Sequence, residues 1–168
     1  DWKFKFIGPF ENGFENKVQK FFQCNPDLKN KVFFLGAITD LKKLTAEYKK
    51  ASVFVLSSKW ESSGLVLVEA ALNGCYLVTT NVGCINELNF NKNYCFIASN
   101  SQQGKQDEGR IIKEFVEELQ SVIDGKDITS CMDERIEFYK KNFLMSHITD
   151  ASFYKKFAGV KNVERFEK

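Results

Sequence analysis

The sequence predicts an α/β fold, a doubly wound parallel sheet followed by C-terminal helices. Short apolar runs alternate along the chain with longer segments in which apolar residues recur every three or four positions. Strands that are separated by helices in this way form right-handed βαβ units with parallel strands. In such sheets ligands bind beyond the carboxyl ends of the strands, so the loops that follow strands are the candidate functional sites.

The pattern places each element in chain order. Strands are predicted over residues 3–7, 31–36, 53–56, 76–80 and 94–98, and helices over 11–24, from 41 onward, over 64–73 and around 86–89. Asp40 is predicted to cap the helix that follows it, and Phe14, Phe21 and Phe22 are predicted to be core residues. Val53–Leu56 is apolar throughout, which is typical of a strand buried in a parallel sheet. After a polar loop over 99–109, helices are predicted over 110–123, 131–141 and 146–157, before a frayed tail.

Composition and charge indicate one globular domain. The 168 residues are 43% hydrophobic and 27% charged, and 24 basic and 22 acidic side chains give a formal net charge of +2. We therefore expect no nucleic-acid partner, because such proteins usually concentrate a basic excess. We expect no signal peptide and no membrane span, because no apolar run approaches the ~20 residues that a span needs. We expect a single domain over residues 1–168, with a core over about 1–125 and a helical tail over 126–168.

The cysteines predict free thiols. There are five, at positions 24, 75, 84, 95 and 131, and none forms a C-x-x-C pair. His147, the only histidine, is predicted to be structural. A zinc site needs a closer cluster of ligands than this, so no metal is expected. Buried, reduced thiols indicate a cytosolic protein.

The loop after the third predicted strand carries the most informative residues. It leads into a helix that is apolar nearly all round, so we expect the helix to be buried. Its one carboxylate, Glu69, then needs a hydrogen-bonding partner. Backbone N–H groups near Ser63, Gly64 and Leu65, at the helix start, are open to an anion. Glu61 precedes that start, and Glu69 lies roughly 8 Å along the helix axis beyond it. A nucleotide sugar has a matching layout of sugar, pyrophosphate and ribose.

These residues carry a resemblance to a known family. Glu61 and Glu69 form an E-x7-E motif within SSKWESSGLVLVEAALNG, which resembles the signature of the retaining GT-B glycosyltransferases (glycosyl transferases group 1, family 4 type). Further stretches are similar in the same order over residues 4–154, namely Phe6-Ile7-Gly8, 32–36, 44–58 and 74–87. The resemblance implies the Rossmann-like C-terminal half of a GT-B fold, which binds the donor.

The resemblance implies a role for each motif residue. Glu61 would be the catalytic residue, close to the donor sugar, and Glu69 would bind the ribose hydroxyls. Gly64 and Leu65 would offer N–H groups to the pyrophosphate, with Ser63 beside them in the donor site. The transfer would retain the configuration of the sugar and need no metal or other cofactor.

Four further residues are donor-binding candidates with open alternatives. Gly8 and Gly83 would approach the donor, or they are turn residues with positive φ. Glu87 would bind the donor near a helix start, or it caps its own helix. Lys59 borders the donor loop, and its alternative is a solvated surface charge.

The function implied is that of a donor-binding domain in a retaining glycosyltransferase of hexosyltransferase type. It would serve the synthesis of cell-surface polysaccharide, lipopolysaccharide or glycolipid, with a nucleotide-diphosphate sugar as donor. The N-terminal domain that binds the acceptor glycan or lipid, and the family's basic pyrophosphate clasp, are expected to be absent. The isolated chain is therefore expected to bind the donor weakly and transfer nothing. We expect a cytoplasmic location, with peripheral association at the inner face of the membrane left open.

A competing interpretation is a Rossmann-like nucleotide-binding or interaction domain that does no chemistry. Both motif carboxylates are present, which favours the transferase, and a bound nucleotide sugar would discriminate between the two. A dehydrogenase is not favoured, because no G-x-G-x-x-G follows the first strand.

Overall fold

A computed structural model describes residues 2–89, 94–98 and 107–143. Its strands are β1 (Phe4–Ile7), β2 (Val32–Gly36), β3 (Val53–Leu56), β4 (Tyr76–Thr79) and β5 (Cys95–Ile97). Its α-helices are α1 (Phe14–Cys24), α2 (Leu41–Lys50), α3 (Leu65–Leu72), α4 (Ile85–Leu88), α5 (Glu108–Ile123) and α6 (Met132–Phe143), and a 3-10 turn spans Pro26–Leu28. This order confirms the predicted alternation of strands and helices. The helix predicted over 146–157, His147 and the predicted tail lie outside the described residues.

The chain divides into two compact units, Asp1–Glu47 and Tyr48–Lys168. In the first unit β1 pairs with β2 in parallel. The Asp40 carboxylate accepts hydrogen bonds from the backbone N–H groups of Lys42 (2.9 Å) and Lys43 (3.2 Å), which confirms the predicted helix cap.

Phenylalanine rings pack against one another in the first unit. The Phe34 ring stacks on Phe6 at 4.8 Å between centroids, and it meets Phe14 and Phe22 edge-on at 5.9 and 6.0 Å. Phe14 and Phe22 are half-buried, whereas 38% of Phe21 is exposed. The prediction of Phe21 as a core residue is therefore wrong. Helical spacing identifies the apolar face of α1, but it does not show how far the sheet covers that face.

In the second unit, β4 lies between β3 and β5, and all three strands are parallel. Leu77 packs with Leu67 of α3 and Tyr139 of α6, in one core cluster. Val78 packs with Ile111 and other α5 residues in a second cluster. Because successive residues of a strand point to opposite faces, helices cover both faces of β4, as a doubly wound fold requires.

Strand pairing departs from the sequence prediction at two points. Hydrogen bonds between the described strands join β1 with β2 in one sheet and β3, β4 and β5 in another, whereas one sheet of at least five strands was predicted. In addition, β3 is an edge strand of its sheet, and Val55 is 40% exposed. The prediction that Val53–Leu56 is a buried strand is wrong, because its apolar composition does not fix its place in the sheet.

A buried charged cluster fixes α5 and α6 against β4. Arg135 of α6 is 2% exposed, and its guanidinium donates to the Gly74 carbonyl at 3.1 Å. The Tyr76 hydroxyl donates to Glu118 at 2.8 Å, and Lys126 forms an ion pair with the same carboxylate at 2.5 Å. The Glu118 charge is thus paired, whereas the Arg135 guanidinium donates to backbone carbonyls and supports the turn at Gly74 from which β4 begins.

The five cysteines are free thiols, as predicted. Cys75 and Cys95 are buried, and burial raises their pKa values to about 11 and about 12. Cys84 and Cys131 are half-buried, whereas Cys24 is exposed, so the prediction of burial is wrong for Cys24. No helix within the described ranges is long and apolar enough to cross a membrane.

Candidate functional site

The candidate site is built on the loop between β3 and α3. β3 ends at Leu56 and α3 begins at Leu65, so Glu61 lies in the loop after this strand, as predicted. α3 is apolar along most of its length, yet it buries only one face, through Leu67, Ala70 and Ala71. The loop therefore meets a helix whose other face is open to solvent.

Gly64 starts α3 in the left-handed conformation, with φ 66° and ψ 40°. Its carbonyl accepts the first helical hydrogen bond, from the Leu67 N–H at 2.8 Å. The first N–H groups of any helix have no intrahelical partners and carry the positive end of the helix dipole. Leu65 is 65% exposed, whereas Gly64 is buried, so this end of the helix meets solvent at Leu65. An anion can reach it there.

The loop after β4 packs directly on this helix start. Gly83 has φ +56°, and a Cβ built on it would lie 2.9 Å from both the Gly64 nitrogen and the Ser63 oxygen. The Cys84 N–H donates to the same Ser63 carbonyl at 3.2 Å. Gly83 is thus a turn residue with positive φ, which was the alternative to a donor-binding role. It also lies against the backbone of Ser63 and Gly64, where the pyrophosphate is predicted to bind.

Glu61 is held by a hydroxyl from its own loop. The Ser58 hydroxyl donates to Glu61 Oε1 at 2.8 Å, and the Thr80 hydroxyl donates to the Ser58 carbonyl at 2.6 Å. Thr80 is 1% exposed and directly follows β4, whereas Glu61 is half-buried. The carboxylate is therefore fixed from the carboxyl ends of two neighbouring strands.

Glu69 is exposed, so the prediction of a carboxylate inside a buried helix is wrong. The helix packs by one face, and Glu69 lies on the other. Its carboxylate nevertheless has a partner, because the Tyr48 hydroxyl donates to Glu69 Oε2 at 3.2 Å. Burial, and then the adjacent Glu69 charge, raises the pKa of Tyr48.

The other candidates differ in their surroundings. Lys59 forms an ion pair with Glu108 at the start of α5, and both side chains are mostly exposed. Glu87 is exposed in α4. In a capping box its side chain would accept from the Cys84 N–H, but that N–H already donates to the Ser63 carbonyl. Gly8 belongs to the first unit, where its N–H donates to Gly36 at 2.9 Å.

Sequence reasoning did not assign the residues that hold the two carboxylates. Ser58, Tyr48 and Thr80 supply these contacts, and none of them was a candidate site residue. The positions of Ser58 and Thr80 could have identified them as site residues, because each follows the end of a parallel strand by no more than two residues. Tyr48 lies within a helix and carried no such signal.

The geometry places groups of two kinds side by side. Backbone N–H groups at the start of α3 suit a phosphate, and carboxylates suit the hydroxyls of sugars. Over the described part of the chain, no group of three or more His, Cys, Asp or Glu side chains is arranged to hold a metal ion.

Comparisons with known proteins agree with this description. The sequence model of the family described as glycosyl transferases group 1 matches residues 1–127. No curated protein sequence is significantly similar to the chain.

Three crystal structures of Alr3699/HepE from Anabaena share its fold. The complex with UDP and glucose has a TM-score of 0.62 at 20% identity, over 94% of this chain and 39% of that one. The UDP complex gives 0.59 at 19% identity, over 95% and 41%. The UDP-glucose complex gives 0.55 at 21% identity, over 94% and 41%. The chain thus matches 39–41% of the length of these structures. It has an α/β, Rossmann-like fold of the GT-B kind.

Proposed function

The chain belongs to the glycosyl transferases group 1 family, and we propose that it binds the nucleotide-sugar donor of a retaining glycosyltransferase. The site is the loop between β3 and α3, and the observation that carries the proposal is the helix start flanked by two carboxylates. Glu61 lies before that start, and Glu69 lies within the helix. Each carboxylate accepts a hydrogen bond from a neighbouring hydroxyl, from Ser58 and Tyr48 respectively.

In this proposal each part of the donor meets a different group. The diphosphate lies at the N–H groups of Gly64 and Leu65, with Ser63 beside them, where the helix dipole favours negative charge. The ribose hydroxyls donate to Glu69, and the sugar lies near Glu61. The HepE complexes contain UDP, glucose and UDP-glucose, which makes UDP-glucose the first donor to test.

The chemistry proposed is transfer of the sugar with retention of configuration. As the bond between sugar and diphosphate breaks, an acceptor hydroxyl bonds to the same face of the sugar and its proton passes to the leaving diphosphate. Positive charge develops on the sugar and negative charge on the diphosphate. The Glu61 carboxylate stabilises the first, and the N–H groups at the start of α3 stabilise the second. The proposal needs no metal, since fixed dipoles serve the leaving group.

The remaining parts of the proposal concern the whole protein. Its acceptor is a glycan or lipid bound by a second domain, and the sugar transferred is a hexose. We place the reaction in cell-surface polysaccharide, lipopolysaccharide or glycolipid synthesis, in a cytoplasmic protein that can associate with the inner face of the membrane. That the 168-residue chain transfers nothing by itself stays a prediction.

Calorimetric titration of UDP-glucose into the wild type and a Glu69→Gln variant tests the proposal. Hydrogen bonds to a charged group contribute roughly 1.5–3 kcal/mol, so we expect at least about ten-fold weaker binding by the variant. The melting temperature should hardly change, because Glu69 is exposed. Glu137→Gln, an exposed glutamate of α6, is the matched control and should bind like the wild type.

Equal affinities for the wild type and Glu69→Gln would remove Glu69 from the site. A large fall in melting temperature for Glu69→Gln would indicate a structural role instead. Binding without sugar transfer or donor hydrolysis, even with the rest of the protein present, would favour the non-catalytic nucleotide-binding alternative.

A further inference from the structure

Tyr48 is held rigidly at the edge of the candidate site. It lies near the end of α2, and its ring meets the Phe54 ring of β3 edge-on, at 5.8 Å between centroids. The Cys75 thiol, which is buried, donates to the Tyr48 carbonyl at 3.3 Å. Both the ring and the backbone of Tyr48 therefore have partners outside α3, in β3 and just before β4.

The hydroxyl of this rigid side chain reaches Glu69. It donates to Glu69 Oε2 at 3.2 Å, across 21 positions of sequence. Among the described residues, no other side chain hydrogen-bonds this carboxylate. An exposed glutamate otherwise samples several rotamers, and a ligand that binds one of them must restrict the others. A tyrosine phenol is protonated at neutral pH, and burial raises the pKa of Tyr48 further, so it remains a donor.

We propose that Tyr48 is a positioning residue that orients Glu69 toward the ribose hydroxyls of the donor. This inference rests on the proposed function. With Oε2 bound to Tyr48, the carboxylate is fixed before the nucleotide arrives, and Oε1 is left to accept from the ribose. Orientation before binding lowers the entropic cost of forming those hydrogen bonds. Tyr48 thus contributes to selectivity for nucleotides that carry ribose hydroxyls.

The test compares UDP with 2′,3′-dideoxy-UDP, which lacks those hydroxyls, on the wild type and on Tyr48→Phe. The substitution removes one oxygen and keeps the ring on Phe54. We expect the wild type to bind UDP at least about ten-fold more tightly than the dideoxy nucleotide. In Tyr48→Phe, UDP should bind roughly three- to ten-fold more weakly, while the affinity for the dideoxy nucleotide is unchanged.

Two further variants separate positioning from stability. Tyr94→Phe removes another tyrosine–glutamate hydrogen bond, between the Tyr94 hydroxyl and Glu134 at 3.0 Å, and should leave both affinities as in the wild type. Glu69→Asp shortens the acceptor by one methylene and keeps Tyr48 intact. It should lose the ribose selectivity as well, and Tyr48→Phe added to it should lower the affinity for UDP no further, because Tyr48 acts only through the Glu69 carboxylate.

Full ribose selectivity in Tyr48→Phe would overturn the inference and leave the proposed function standing. So would equal losses for both nucleotides in Tyr48→Phe, since a merely structural role weakens them alike. If the wild type binds neither nucleotide, the proposed function fails, and the inference fails with it.

Discussion

At the scale of single residues, two glycines bring the loops after β3 and β4 together. Gly64 and Gly83 both have positive φ, and the space for a Cβ on Gly83 is filled by the backbone of Ser63 and Gly64. A side chain at position 83 would push this backbone apart, and the backbone cannot yield as a flexible side chain does. The start of α3, which we propose to hold the diphosphate, depends on this close approach.

Gly83→Ala is therefore expected to destabilise the protein and weaken donor binding together. Gly125→Ala is the matched control, because Gly125 also has positive φ, at 104°, but has open space where a Cβ would lie. Both variants bear backbone strain, whereas only Gly83→Ala adds the clash, which we expect to cost about 1–3 kcal/mol more. Urea denaturation of both variants measures the difference. Equal stabilities would show that the loops do not need this contact.

The sequence predicted the site's backbone better than its side-chain contacts. Glu61 lies in the loop after β3, Gly64 starts the helix, and Gly83 has positive φ, all from local patterns. The partners of the carboxylates were missed, because the contact of Tyr48 with Glu69 joins residues that are 21 positions apart in the sequence. The apolar periodicity within a helix does not predict a contact of this kind between two helices. The exposure of Glu69 was missed for the same reason, since composition does not show which face of α3 is covered.

At the scale of elements, β3 and β4 show how position in a sheet decides burial. β3 is the more apolar of the two strands, yet β4 is buried along its whole length. β4 has a strand on each side and helices on both faces, whereas β3 is at the edge. The sequence predicted both strands within one residue of their bounds, but their order in the sheet depends on pairing between distant segments.

Val78→Ala and Val55→Ala test this difference at one point of the sheet. The two valines are register partners in β3 and β4, and they are 0% and 40% exposed, respectively. Removing two methyl groups from the enclosed core should lower the free energy of unfolding by about 2–3 kcal/mol for Val78→Ala. For Val55→Ala we expect less than about 1 kcal/mol, since water already reaches that side chain. Similar losses for the two variants, measured by urea denaturation, would show that β3 is as enclosed as β4.

At the scale of the whole molecule, the α/β class and the chain order of the elements were predictable from apolar periodicity. The division of the strands into sheets of two and three was not, because hydrogen bonding between strands is a long-range property. The ordered motifs around Glu61 and Glu69 indicated the family, and the match over residues 1–127 confirmed it. The donor, the acceptor and the retaining chemistry remain proposals that rest on the second unit's candidate site.

The location of the donor is the central claim, and an NMR titration of the 15N-labelled chain with UDP-glucose tests it most directly. The backbone amides of Gly64, Leu65 and Gly83 are predicted to shift most, because they lie where the diphosphate is proposed to bind. Amides of α6, such as that of Glu137, should stay in place. Shifts concentrated in α6 or in the first unit, or no shifts at saturating UDP-glucose, would contradict a donor site at the start of α3.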